Sequence, residues 1–178
     1  RDAWIAARKV HLANEKAFTE ARDRLSAERR ALPWDKVDKD YVFDTPSGKR
    51  TLGDLFQGRG QLIVYHFMLG PGWKEGCPSC SFVGDHFDGA LVHLVQRDVS
   101  FTAVSRAPYP EIAAFKARMG WRFPWVSSHG GDFNFDFRVS ATEAEKRDQK
   151  MSYNFEKSDL LVDEMPGLSV FARGAAGV

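Results

Sequence analysis

Cysteine is nearly absent from this chain. Its only two, Cys77 and Cys80, are too few for the disulfide framework of a small secreted protein. Neither sign of charge is in excess: 25 Lys and Arg stand against 24 Asp and Glu, for a net charge of +1. That leaves no electrostatic case for nucleic acid or an anionic membrane surface as partner. No apolar run approaches the ~20 residues that a membrane-spanning helix needs. The opening RDAWIAARKVHL lacks the apolar core of an export signal, so a cytoplasmic location is expected. It also lacks an initiator methionine, and the natural N-terminus is expected upstream. What is present, 43% hydrophobic and 28% charged residues over 178 positions, is the composition of one globular domain with a decoration.

Residues 3–31 hold no Pro or Gly and are rich in Ala, Arg, Lys, Glu and Leu, which predicts one long helix. Trp4, Ile5, Leu12, Phe18, Ala21 and Leu25 form its interrupted apolar stripe, and Pro33 ends it. This divides the chain into a helical arm, 1–33, and a domain, 34–178. The arm's stripe makes a homodimer an expectation. YVFDTPSGKRTL, Tyr41 to Leu52, reads as two short strands around a turn at 44–48, followed by a helical turn. LIVYHFML, Leu62 to Leu69, is the continuous apolar run of a central strand buried on both faces. After the cysteines a helical period places Phe82, Val83, His86, Phe87, Leu91 and Leu94 on one buried side. VSFTAVS is the next strand, a helix runs from Pro108 to Met119, and RFPWVSS is a short strand. Strand, helix, strand, helix predicts an α/β fold with a parallel crossover. Residues 127–164 read as an insertion before a late strand in GLSVFARGAAGV. The aromatic cluster of Trp121, Phe123, Trp125, Phe133, Phe135 and Phe137 is expected in the core.

The chemistry concentrates in GWKEGCPSC. A thiolate, not a thiol, attacks disulfides, and a helix N-terminus is the simplest device for favouring one. The buried strand ends, a Gly- and Pro-containing loop follows, and a helix begins at or just after Cys77. Cys77 is then exposed at the first turn with Cys80 one turn deeper, so Cys77 would attack and Cys80 would resolve the mixed disulfide. Pro78 suits the first helical turn because its missing N–H would be unpaired there. With Ser79 it would tune the redox potential. Trp73 would form the lip of a substrate groove and Lys74 would favour the thiolate. Arg106 follows a parallel strand, where open α/β sheets place their ligand crevice. A zinc site would need a second ligand pair that the cysteines do not supply, and His86 and His93 lack a familiar spacing, so no metal and no cofactor is expected.

The order of strand, C-x-x-C, helix, strand, helix and then MPGLSVF resembles the thioredoxin fold. The resemblance implies a central mixed sheet flanked by helices, a cis-proline at Pro166 facing the cysteines, and His66 in the place of a buried acid that would move protons near the thiols. It also implies a further strand and a closing helix after this strand, so the expectation is either a chain cut short or a sheet with one strand fewer. The hairpin preceding the central strand looks like the peroxiredoxin side of that superfamily. LPWDKVDKDYVFDTPSGKRTLGDLF, QLIVYHFMLGPGWKEGCPSCSF, DVSFTAVSRAP, RMGWRFPWVSS and DFNFDF together resemble the DUF899 family, a thioredoxin-like bacterial family of unestablished function. That implies dithiol–disulfide oxidoreductase activity on a disulfide-bearing protein or small thiol, with an electron donor such as a reductase or glutathione. A thiol peroxidase is the alternative, weakened because the peroxiredoxin threonine position, three before Cys77, holds Lys74. A non-enzymatic interaction module is the other.

Overall fold

Helix α1 (Asp2–Arg30) is the long helix that its composition predicts, with Asp2 in its first turn and Arg29 and Arg30 in its last, each matching the sign of the helix dipole. Arg8 pairs with Glu15 at 2.8 Å along it. The computed structural model describes residues 1–159, 162–174 and 178, in two compact units, Arg1–Lys36 and Val37–Val178. Among the described residues no helix is long and apolar enough to cross a membrane.

The second unit begins with a hairpin, β1 (Val42–Thr45) and β2 (Gly48–Thr51), whose turn carries Gly48 at φ +97°. Thr51 then caps α2 (Leu52–Leu55) with a reciprocal Thr51–Asp54 capping box. Strand β3 (Gln61–His66) follows, then α3 (Pro78–Gly84), α4 (Phe87–Val95), β4 (Val99–Ser105), α5 (Tyr109–Met119) and β5 (Trp125–Ser127). The expected insertion contains α6 (Phe133–Asp136), α7 (Glu143–Asp148) and the separate hairpin β6 (Lys150–Tyr153) and β7 (Glu156–Asp159). Strand β8 (Gly167–Ala172) completes the main sheet.

The sheet has six strands in the order β2-β1-β5-β4-β3-β8. Strands β3, β4 and β5 are parallel, while β8 runs antiparallel to β3 with Gly167 opposite His66. Alternation along β3 sends Leu62, Val64 and His66 to one face and Ile63 and Tyr65 to the other. Tyr65, Phe67, Phe101, Ala103 and Trp125 share one core with Cys80, Ile112 and Phe115 from the helices. Leu62, Val64, Val104, Val126 and Phe171 share the second core with Phe43, Leu55 and Phe133. Of the aromatic cluster, Trp121, Phe123 and Trp125 join the first core and Phe133 and Phe137 the second, while Phe135 belongs to neither.

The single helix expected after the cysteines is broken into α3 and α4. Gly84 lies under Trp121, where an added Cβ would stand 3.1 Å from the indole, and the indole N–H donates to the Asp85 carboxylate at 2.8 Å. The break changes the helical phase. Phe82 is therefore 69% exposed, and Val83 and His86 are exposed as well, instead of buried. Phe87, Leu91 and Leu94 pack against the core as expected, and in α3 it is Cys80 that is buried.

Candidate functional site

The site is built where β3 runs out. Phe67, Met68 and Leu69 continue buried beyond the strand, and the backbone then returns on itself. Cys77 N–H donates to the Met68 carbonyl at 3.1 Å, and Ala107 N–H donates to that of Leu69 at 3.0 Å. Two glycines make the return sterically feasible. Gly72 has φ +77°, and its N–H donates to the Glu111 carboxylate at 3.0 Å. Gly76 lies so close to Phe67 that an added Cβ would approach the ring to 2.5 Å, and Phe115 to 3.0 Å.

Cys77 caps α3 and Pro78 opens it. Both the N–H and the hydroxyl of Ser81 donate to the Cys77 carbonyl, at 2.9 and 3.0 Å, which fixes the turn that carries the two cysteines. Cys77 is half-buried and Cys80 is 2% exposed, and both are free thiols. Cys80 lies in one core with Tyr65, Phe67 and Met68, and Cys77 packs against that core. Burial pushes the Cys80 thiol up from its ordinary range, against the lowering effect of the Met68 and Tyr65 donors. The Tyr65 hydroxyl is itself pushed up, first by burial and then by Cys80, so it is a donor and not a base at neutral pH. It donates to the Cys80 carbonyl at 3.3 Å.

Trp73 packs against the same core as Cys77 and, with Lys74, Glu111, Phe115 and Arg118, lines a shallow groove of about 270 Å³. Pro78 and Ser79 are exposed on the first turn of α3. These are the expected residues that the fold gathers around the cysteines.

His66, Pro166 and Arg106 are engaged elsewhere. His66 projects into the opposite core from the cysteines, where its ring stacks on Phe133 and Phe137 at 5.6 and 5.7 Å and its Nε2 meets the Ser169 hydroxyl at 2.8 Å. Burial lowers its pKa to about 4. A ring expected to move protons beside the thiols is thus neutral and faces away from them. Titration by NMR should show His66 uncharged from pH 8 down to 5, with a midpoint near the pKa of about 4. Because its unfolded-state pKa is about 6.5, this histidine's contribution is present above that pH and is lost as pH falls from there through its folded pKa.

Pro166 lies one residue before β8, at the chain position expected for it, but no peptide bond among the described residues is cis. The insertion holds this segment: Met165 N–H donates to the Val139 carbonyl at 2.8 Å, and the Tyr153 hydroxyl donates to the Pro166 carbonyl at 2.7 Å. Pro166 lines a cavity of about 400 Å³ with His66, Phe137, Tyr153 and Ser169. Arg106, expected at a ligand crevice, is committed to an internal partner. Its Nε and Nη2 both reach Glu164 Oε1 at 2.7 Å, and its guanidinium lies over Phe135.

Sequence reasoning missed Tyr65 and Glu164. The strand's alternation carried a signal for Tyr65, since it is the neighbour of His66 and must take the other face. Glu164 carried none. Among the described residues no group of three or more His, Cys, Asp or Glu side chains converges to hold a metal.

A family model described as "Bacterial protein of unknown function (DUF899)" matches residues 1–178. No curated protein matches. Solved structures do. The bacterioferritin comigratory protein of Xanthomonas campestris, described in terms of alkyl peroxide reduction, aligns at TM-score 0.50 and 18% identity over 79% of this chain and 78% of its own. A cysteine-to-serine variant of peroxiredoxin Q from the same organism aligns at TM-score 0.51 and 17% identity, covering 79% and 77%. A corresponding variant from Xylella fastidiosa aligns at TM-score 0.48 and 22% identity, covering 65% and 68%. With the six-stranded mixed sheet and its flanking helices, the two Xanthomonas structures establish the fold as thioredoxin-like.

Proposed function

The chain belongs to the DUF899 family of bacterial proteins, and for this member we propose a thiol–disulfide oxidoreductase that uses Cys77 and Cys80. One observation carries the reading: a half-exposed free cysteine at the N-cap of a helix stands one turn before a buried free cysteine and packs against the same core. The difference in exposure supports a division of roles. Cys77, as the thiolate, attacks one sulfur of a substrate disulfide, forms a mixed disulfide and releases the other half as a thiol after it takes up a proton. The Cys80 sulfur then attacks the Cys77 sulfur, closing an internal disulfide and releasing the second thiol. The protein loses two electrons and the substrate gains them, so turnover needs a thiol reductant such as a reductase or glutathione.

The groove at Trp73 is the proposed substrate contact. Phe115, one of its walls, is also the ring against which Gly76 packs, immediately before the nucleophile. Lys74 and Arg118 give it positive charge and Glu111 negative charge. Pro78 and Ser79, exposed beside Cys77, complete that contact surface. A peroxidase would need a threonine or serine beside the nucleophile, and the position three before Cys77 holds Lys74. That favours disulfide exchange over peroxide reduction.

Free thiols counted across a series of redox buffers test the proposal. Two thiols should disappear together and return on reduction. If both remain titratable in the most oxidising buffer, the pair is not redox-active and the proposal fails. Cys80→Ser should then hold its substrate as a mixed disulfide on Cys77, and mass spectrometry of that adduct would identify the partner.

A further inference from the structure

We propose that the pocket between the β1–β2 hairpin and α5 binds phosphate, free or as the monoester group of a small organic phosphate, with Lys116 and Arg50 as its cations. The pocket holds about 230 Å³ and shares no lining residue with the groove at Trp73, so the proposal stands apart from the exchange reading. That volume is below the ~300 Å³ at which sites for larger organic ligands begin, which limits the occupant to a compact group. Tyr109 and Lys116 lie seven apart on α5 and so present one helix face to it.

The cations lack anions. Lys116 is half-buried, and its ammonium makes no hydrogen bond or ion pair among the described residues. Burial lowers its pKa, so its charged form is held at a cost that a counter-ion would relieve. Asp88 acts on it through space, but that carboxylate already accepts from the Arg122 and Phe123 N–H groups at 2.8 to 3.1 Å. From β2, Arg50 donates to neutral oxygens, those of the Lys49 carbonyl and the Ser47 hydroxyl, at 3.3 Å each. Asp54 is the acidic residue of the lining, and its Oδ2 accepts from the Thr51 N–H and hydroxyl in the cap of α2. Two cations against one engaged carboxylate leave the pocket positive. Neutral donors stand with them. The Tyr109 hydroxyl has no hydrogen-bond partner among the described residues. Thr102 of β4 is fully buried and lines the pocket, and its hydroxyl is unpaired as well. Buried hydroxyls are nearly always hydrogen-bonded, so an unpaired one in the wall of a positive pocket points to an acceptor that belongs there. A phosphate dianion offers a charge to each cation and several acceptor oxygens to the hydroxyls, whereas a carboxylate matches one cation.

Titration of the full chain with inorganic phosphate at constant ionic strength, followed by amide NMR, tests this. Saturable shifts should appear at Ser47, Arg50, Tyr109 and Lys116. Lys116→Gln and Arg50→Gln should each weaken binding roughly tenfold or more, since each removes a hydrogen bond to a charged group. Lys157→Gln takes the same charge from the separate β6–β7 hairpin and should leave binding unchanged. Phenyl phosphate separates the two sources: tighter binding than inorganic phosphate assigns the pocket to esters, weaker binding assigns it to the free ion, and either supports the site. Shifts that stay linear in phosphate would overturn the proposal. So would an affinity unaltered in Lys116→Gln, an equal loss in Lys157→Gln, or benzoate binding more tightly than either phosphate. If Lys116→Gln does not fold, Arg50→Gln at an exposed residue decides the matter by the same criterion.

Discussion

Cys77→Ser should reduce disulfide exchange to the level of the uncatalysed reaction while leaving stability within about 1 kcal/mol of wild type. The loss is absolute because a serine hydroxyl does not ionise near neutral pH and cannot form the mixed disulfide. The fold should tolerate the change for three reasons. Cys77 is only half-buried. Its two structural bonds are made by backbone atoms: the N–H donates to Met68, and the carbonyl accepts from Ser81. Serine is also a favoured residue at a helix N-cap, the position Cys77 occupies. Cys80→Ser should behave differently. It buries a hydroxyl at a 2%-exposed position and keeps the first half of the reaction. Reduction of an aryl disulfide, measured beside a denaturant midpoint, separates the two variants. Global unfolding of Cys77→Ser would move that residue from chemistry to structure.

The location of the site was legible because its cause is local. A continuous apolar run gives β3 its place between two neighbours, and glycines and Pro78 mark where the chain turns and restarts as helix. The break between α3 and α4 was not legible, since Trp121 imposes it from 36 residues away through Asp85. A uniform helical period therefore put Phe82 on the wrong side. His66 and Tyr65 show the same limit at a single strand. Alternation requires them to face apart, but which face the cysteine-bearing helix covers is decided by packing of α3, α4 and α5, not by the strand's own residues. Likeness to the thioredoxin fold favoured His66, whereas the packing brings Tyr65 to the cysteines. The partner of Arg106 was hidden for a similar reason: 58 residues and the whole insertion separate it from Glu164.

That pairing makes Arg106→Met the substitution with the largest expected effect on stability. The Glu164 side chain is 2% exposed and that of Arg106 is 15% exposed, so removing the cation leaves a carboxylate with little access to water. Breaking such a pair from one side costs about 3–5 kcal/mol. The Ser140 hydroxyl, which donates to Glu164 Oε2 at 2.6 Å, offsets only part of that. Burial already raises the Glu164 pKa in spite of Ser140 and Arg106, and loss of the guanidinium should raise it further. A carboxyl whose folded pKa lies above its unfolded value of about 4.3 favours the fold below that value and progressively less as pH rises through the folded pKa. The deficit of Arg106→Met should therefore be largest at neutral pH and should shrink in acid toward the packing loss alone. Arg106→Met combined with Glu164→Gln, which removes both charges, should recover much of the neutral-pH stability. Denaturant midpoints from pH 4 to 8 provide the check. A deficit that stays constant across that range would mean that Glu164 does not carry the charge in the folded protein, and that the insertion is held to the end of β4 by packing and neutral hydrogen bonds.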